Sequence, residues 1–526
     1  MTLTTAHSLK KILGGTDEYA FLDVREHGQY GEGHPFFCVN APYSEIEAKV
    51  PVLVPRRSTL CILMDDGDGV AALVHDRMTA MGYDNLLILD GGAPAWAKAG
   101  FTHFKGVNVL SKTFGELVEH ACHTPSISAE ELHARQQDRS PLIVLDGRGP
   151  REFAKMSLPG ARSCPNAELA YRLPELVQDD TTPVIVNCAG RTRSIIGAQS
   201  LRNLGLKNPI FALRNGTQGW RLAGFELENG REPEPQPILS PASEALARSR
   251  AEQLVRDYGL SRITSARLKL WGEDSGRTTY LLDVRTEEEF LAAHWPGARH
   301  APGGQLVQAT DEFLAVRNAR IVLSDDLGLR AASTAIWLMG MGHEVHLLNA
   351  DARQGGESGP EAMPQIDVLP SIPLAEVKAG LGKVLLLDAS RGVDYRKAHV
   401  DGARWVTRAR IGAELAGSEP VVVLGRSPAL VAGVLQRLQA LGAARVAGAV
   451  GGPAEWKTAG LTVVESPDVP AQSDCIDFLF FVHDRHDDNL EAARQYLRWE
   501  MGLLEQLDEQ ERGVLNPLQV KREELT

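Results

Sequence analysis

Four times along a chain of 526 residues, a short apolar run closes on an aspartate. The runs are FLDVREHGQY (21–30), IVLDGRGPREF (143–153), LLDVRTEEEF (281–290) and LLLDASRGVDY (385–395), and the aspartates are Asp23, Asp146, Asp283 and Asp388. A second apolar run follows in each case: LCILM (60–64), VIVN (184–187), RIVLS (320–324) and VVVL (421–424). Directly behind it stand Asp65, Cys188, Asp325 and Gly425. The first mark lies 42 positions before the second in the first three cases and 37 in the fourth. Spacing this regular, at a domain-sized period, means that one supersecondary unit has been repeated.

Each loop leads into a helical pattern, such as SIIGAQSLRNLG (194–205) or AASTAIWLMGMG (331–342). A third strand and turn close three of the units: LLILDGGAPAW (86–96), IFALRNGTQGW (210–220) and VAGAVGGPAEW (446–456). The third unit offers only LLNADARQGG (347–356) and lacks the Trp. Strands alternating with helices predict an α/β fold, each unit a mostly parallel sheet flanked by helices. The breaks EPEPQPILSP (232–241), ESGPEAMPQ (357–365) and ESPDVPAQSD (465–474) divide the chain into tandem domains at 1–105, 124–231, 242–358 and 366–466. A helical segment, 474–526, follows. Within it, 489–512 reads as one amphipathic helix with apolar positions at Leu490, Ala493, Leu497, Met501 and Leu504. Such a stripe packs on a domain or on a second copy of the chain, which leaves a homodimer open.

A formal charge of −13 argues against a nucleic-acid partner. No apolar run is long enough for a bilayer, and MTLTTAHSLKK lacks the layout of a signal peptide. The six cysteines, at 38, 61, 122, 164, 188 and 475, form neither CxxC pairs nor a dense framework, so free thiols in a reducing, cytoplasmic setting are expected. No metal and no cofactor is expected. The stretch His483-Asp484-Arg485-His486-Asp487-Asp488 has no recognised ligand spacing.

In parallel sheets, ligands gather at the carboxyl ends of strands, where a loop meets a helix N-terminus. Among the four loops at that place, one holds a nucleophile: Cys188-Ala189-Gly190-Arg191-Thr192-Arg193, with a helix expected to open at Ser194. Two guanidiniums, the helix dipole and a loop curled at Gly190 would together favour a thiolate. Covalent catalysis follows, in which Cys188 takes a sulfane sulfur and passes it to a nucleophile.

The repeat resembles the rhodanese (sulfurtransferase) superfamily. The resemblance rests on Asp146 and Arg148 with Glu152-Phe153, on LPGAR (158–162), on the Cys188–Arg193 loop and on the Gly219-Trp220 turn, and it extends over about four-fifths of the chain. It implies that Cys188 carries the persulfide. It also implies that Ala189, Gly190, Arg191, Thr192 and Arg193 bind sulfur and donor through backbone N–H groups and basic side chains. Arg148 is a further candidate for substrate contact, while Asp146, Glu152 and Trp220 are expected to be structural near the site. The partners implied are a small anionic donor (thiosulfate, a persulfide or, ranked third, 3-mercaptopyruvate) and a thiol or sulfur-carrier acceptor. Phosphatases of similar fold place an Arg six positions after the Cys. Here Arg193 follows at five, a cradle better sized for one sulfur than for a phosphate.

The other three units offer Asp65, Asp325 and Gly425 in place of the thiol and are expected to be inactive. Cys164 is a candidate resolving thiol if it lies near Cys188. The competing reading is a scaffold or redox-sensing protein that uses rhodanese-like domains for partner binding.

Overall fold

The computed structural model describes residues 1–349, 356–362, 364, 370–417, 419–483 and 489–517. The chain divides into two compact units. One comprises Met1–Gly15, Tyr19–Val107 and Met363–Val482, the other Thr16–Glu18, Asn108–Ala362 and His483–Thr526. The first repeat therefore shares a unit with the fourth, and the second with the third.

The second repeat has five strands: β1 (Ser126–Ile127), β2 (Ile143–Asp146), β3 (Arg162–Ser163), β4 (Val184–Asn187) and β5 (Ile210–Leu213). They form a parallel sheet in the order β1-β5-β4-β2-β3. Val184, Ile185 and Val186 of the central β4 are all fully buried. That is why the run reads as continuously apolar: both faces of a parallel strand are covered. Below the sheet, Phe153, Leu132, Val144, Ile185 and Trp220 share one core cluster. Trp220 is a core residue, its indole N–H donating to the Glu226 carbonyl at 2.9 Å.

Register fixes where the loop begins. Asp146 pairs with Asn187 across β2 and β4, and the Asn187 amide donates to the Asp146 carboxylate at 3.0 Å. Cys188 is thus the first residue past the carboxyl edge. Five helices bear on it: α1 (Val109–Cys122), α2 (Pro150–Lys155), α3 (Asn166–Leu176), α4 (Thr192–Asn203) and α5 (Gly216–Leu222). The helix behind the loop starts at Thr192, two residues earlier than its sequence suggested.

The third repeat has the same strand order, in Ser261–Ile263, Glu344–Leu348, Arg320–Ser324, Thr279–Asp283 and Arg299–His300. The C-terminal segment is broken into α6 (Leu490–Met501), a 3-10 turn (Leu504–Gln506) and a short helix (Glu509–Val514), rather than one helix over 489–512. The break falls at Gly502, the C-cap of α6, glycine being a weak helix former. The buried face of α6 is Ala493, Tyr496, Leu497 and Glu500. Leu490 and Met501 are exposed, against expectation.

In the other unit, the first repeat again follows that order. The fourth keeps four of the five positions, Arg404–Trp405 at the edge, then Leu385–Asp388, Val421–Gly425 and Val446–Val450. Its first strand shrinks to a bridge between Ser371 and Gly448. Arg408, 2% exposed, ties the two repeats through both oxygens of Glu47 (2.7 and 2.8 Å) and through the Tyr43 carbonyl. Among the described residues, no helix is long and apolar enough to cross a membrane.

Candidate active site

Cys188 is 2% exposed and closely fenced. Its own carbonyl accepts from Thr217 N–H at 2.8 Å, and the Ala189 carbonyl accepts from Gln218 N–H at 3.1 Å. The amides that open α5 thus draw the loop carbonyls to one side. Gly216 permits this approach: it sits at φ +54°, and a Cβ there would lie 2.1 Å from the Cys188 oxygen. On the other side, the Ser194 hydroxyl lies 3.5 Å from the Cys188 sulfur. The first turn of α4 is therefore directed at the thiol, as the helix-dipole argument requires.

The guanidiniums are arranged differently from the expectation. Arg193 makes a two-pronged pair with Glu152 (2.6 and 2.8 Å). Arg191 is clasped by Glu116 of α1 (2.6 and 2.9 Å) and by Glu119, and it donates to Asn215 at 3.3 Å. A fourth carboxylate, Glu500 of α6, accepts from the Thr192 hydroxyl at 2.8 Å. Two cations meet four acids, so the loop carries no surplus positive charge.

The thiol responds to this setting. Burial pushes Cys188 above its ordinary 9.0, and the Glu500 charge adds to the rise. Arg193 and the hydrogen bonds from Ser194 pull the other way without prevailing. Desolvation of the buried sulfur thus acts against the thiolate more strongly than one paired guanidinium acts for it. Glu152 moves down despite its burial, held there mainly by Arg193.

Several sequence candidates take other places. Arg148 is 2% exposed and pairs with Asp146 (2.7 and 2.9 Å), while also donating to the Met156 carbonyl at 2.6 Å. These bonds place Arg148 as a brace at the end of β2. Gly190 has no left-handed φ. It is small because a Cβ there would meet Glu500 Oε2 at 3.2 Å, Gln218 Nε2 at 3.5 Å and Tyr496 at 3.8 Å. Cys164 is fully buried, its N–H donating to the Asp146 carbonyl at 2.9 Å, and burial raises its thiol. Residues 484–488 of the histidine-aspartate stretch lie outside the described residues.

Glu116, Glu119, Gln218 and Glu500 escaped the sequence reading. Glu116 and Glu119 sit in a helix that falls between the expected domains. Glu500 lies 312 positions beyond Cys188, within a stripe read only as packing.

The rhodanese-like domain family matches this chain at residues 5–99, 128–223 and 266–352, more than half of its length. The chain belongs to the rhodanese family. A crystal structure of thiosulfate sulfurtransferase from Pseudomonas aeruginosa is 40% identical with a TM-score of 0.91, over 99% of this chain and 100% of that one. A putative sulfur carrier protein, YrkF of Bacillus subtilis, is 28% identical over 124 residues, 22% of this chain and 66% of that protein's length. Sulfur transfer of the rhodanese type is the class of activity that the family brings.

The other rhodanese loops show what the Cys188 loop is built for. Asp65 accepts from the N–H groups of Gly67 (2.9 Å), Gly69 (3.0 Å) and Ala71 (2.9 Å). Asp325 accepts from Asp326 (2.7 Å), Arg330 (2.9 Å) and Ala331 (3.3 Å). Ala71, Ala331 and Ser194 occupy the same place, six residues after the head of the loop. In the first and third repeats that amide donates to the head carboxylate, and in the second the Ser194 hydroxyl stands beside the Cys188 sulfur. In the fourth repeat the place belongs to Val431, whose methyl would lie 2.7 Å from a Cβ on Gly425.

Proposed function

We propose that this rhodanese is a sulfurtransferase that works through a persulfide on Cys188, charged by a small anionic sulfane donor such as thiosulfate and discharged to a thiol or sulfur-carrier acceptor. One observation carries the reading: two sister loops hold a carboxylate on their own amides, the last of them at the position that Ser194 takes beside the Cys188 sulfur. A loop of this shape is an anion site. Where the anion is not supplied by the chain's own Asp, the loop is open to a thiolate and, after it, to a persulfide.

In the charging step the Cys188 thiolate attacks the outer sulfur of thiosulfate. The new S–S bond forms as the old one breaks, and sulfite leaves with the electron pair. The amides of the first α4 turn balance the charge on sulfur throughout. Arg191 and Arg193 shape this cradle through Glu116, Glu119 and Glu152 rather than gripping the donor as free cations.

The test is intact mass. After thiosulfate treatment the wild type gains one sulfur atom, which added thiol or cyanide removes. Cys188→Ser gains none while keeping its melting temperature. Sulfur loading in that variant would put the chemistry on another residue.

A further inference from the structure

Two buried side chains beside the loop carry polar atoms that find no hydrogen-bond partner among the described residues. Glu500, 2% exposed, spends Oε1 on Thr192, but its Oε2 accepts nothing. Gln218, 7% exposed, has neither its amide nitrogen nor its oxygen engaged. Both point to the same spot, for they are the two atoms nearest a Cβ placed on Gly190. A buried carboxylate oxygen and a buried carboxamide without hydrogen bonds are costly to keep. Here they flank the residue two positions after the nucleophile.

The surrounding charges define what the carboxylate can do. Arg191 is occupied by Glu116 and Glu119. Lys112 of α1 lies over the Tyr496 and Trp499 rings, 5.6 and 5.0 Å from their centres. Glu500 is held beside Gly190, and among the described residues no cation is bound to its second oxygen. A negative charge at that point hinders an anionic donor and raises the thiol. It thus works against the charging half of the reaction, and its value must lie in the other half.

We infer that Glu500, presented by α6, takes the proton from an acceptor thiol that enters beside Gly190, with Gln218 hydrogen-bonding the acceptor next to its sulfur. This inference rests on the Cys188 persulfide proposed above. In the step, the acceptor S–H gives its proton to Glu500 Oε2. The freed thiolate attacks the outer sulfur of the Cys188 persulfide, and a new S–S bond forms there. The Cys188 S–S bond breaks, its electron pair staying on Cys188 as thiolate in the amide cradle. No oxidant or reductant is consumed, and the Glu500 proton passes on to Cys188 or to water. Gln218 offers a donor and an acceptor side by side, the complement of an amide neighbouring the acceptor's sulfur.

The experiment loads full-length wild type and Glu500→Gln with thiosulfate, removes the donor and follows loss of the persulfide in a single turnover. The two discharging agents are glutathione, whose sulfur must lose a proton, and sulfite, whose sulfur need not. With glutathione the variant slows by about 10- to 100-fold, the usual scale for a lost general base. With sulfite it discharges faster than wild type, because one negative charge fewer faces the incoming dianion. Charging at neutral pH also quickens. Wild-type glutathione discharge in the variant would overturn the inference, as would an equal fall with both agents, which would mark Glu500 as structural. If even the wild type gains no sulfur, the persulfide reading itself has failed, a result distinct from either.

Discussion

The Cys188 and Asp325 loops stand in the same unit, on sheets of the same strand order, and they differ in what fills the amide cradle. In one, a thiol sits against Ser194. In the other, a carboxylate has satisfied the amides itself and is bound to Arg330, which is fully buried between Asp325, Asp326, Glu289 and Glu168 of α3. Around that difference the frame is shared. Asp146–Arg148 matches Asp283–Arg285, and Arg193–Glu152 matches Arg330–Glu289. A repeat without a nucleophile keeps the same Arg–Glu pair. The pair therefore belongs to the scaffold of the loop, and the two loops differ at the residue at its head.

If that is right, breaking the frame in the silent loop costs more stability than anything else in the comparison. Arg330→Ala leaves four buried or half-buried acids facing one another. It is expected to destabilise this unit by about 3–5 kcal/mol, seen as a lower denaturation midpoint. A loss below about 1 kcal/mol would show the cluster to be as weak as a surface pair.

The next effect sharpens what the working loop does to its thiol. Cys188 is raised above 9.0 by burial, so charging should speed up about tenfold per pH unit through neutrality, with no plateau below pH 9. The sign for stability is consistent with this. A folded-state value above the unfolded one means that the thiol's contribution is present below the unfolded value and is lost as pH climbs through the folded one. A plateau of the charging rate near neutral pH would mean that the cradle outweighs burial.

The smallest change in turnover is expected in the first repeat. Asp65→Ala frees three amides and should cost that loop about 1–3 kcal/mol, yet leave sulfur transfer within about twofold of wild type, since surface and loop changes away from a site act mainly on stability. A large kinetic loss, measured as thiosulfate turnover, would tie that loop to the reaction.

Much of this was legible in the sequence because it is local. A parallel strand buried on both faces must be apolar, and its end must turn, so Asp146, Cys188, Asp65 and Asp325 could be placed from spacing alone. What was not legible is non-local. Nothing in VLSKTFGELVEHAC marks Glu116 as the partner of Arg191, 75 residues away. The apolar stripe of 489–512 gave the existence of a helix, but not that its buried face turns by way of Tyr496 and Glu500 toward Gly190, nor that Gly502 ends it. The thiol was read as acidic from its two arginines, because sequence displays cations and hides the acids that neutralise them. The sharing of one unit by the first and fourth repeats depends on contacts such as Arg408 with Glu47, and no periodicity reports those.

The methyl group of Val431 has a consequence for the chain's future as well as its present. At positions 65 and 325 the space for a side chain already exists, so exchange of one residue for another can be tried there without rebuilding the backbone. At position 425 any side chain larger than hydrogen collides with Val431. Regaining a reactive group in the last repeat would need two coordinated replacements, the first of no use without the second, and that makes its silence the hardest of the three to reverse.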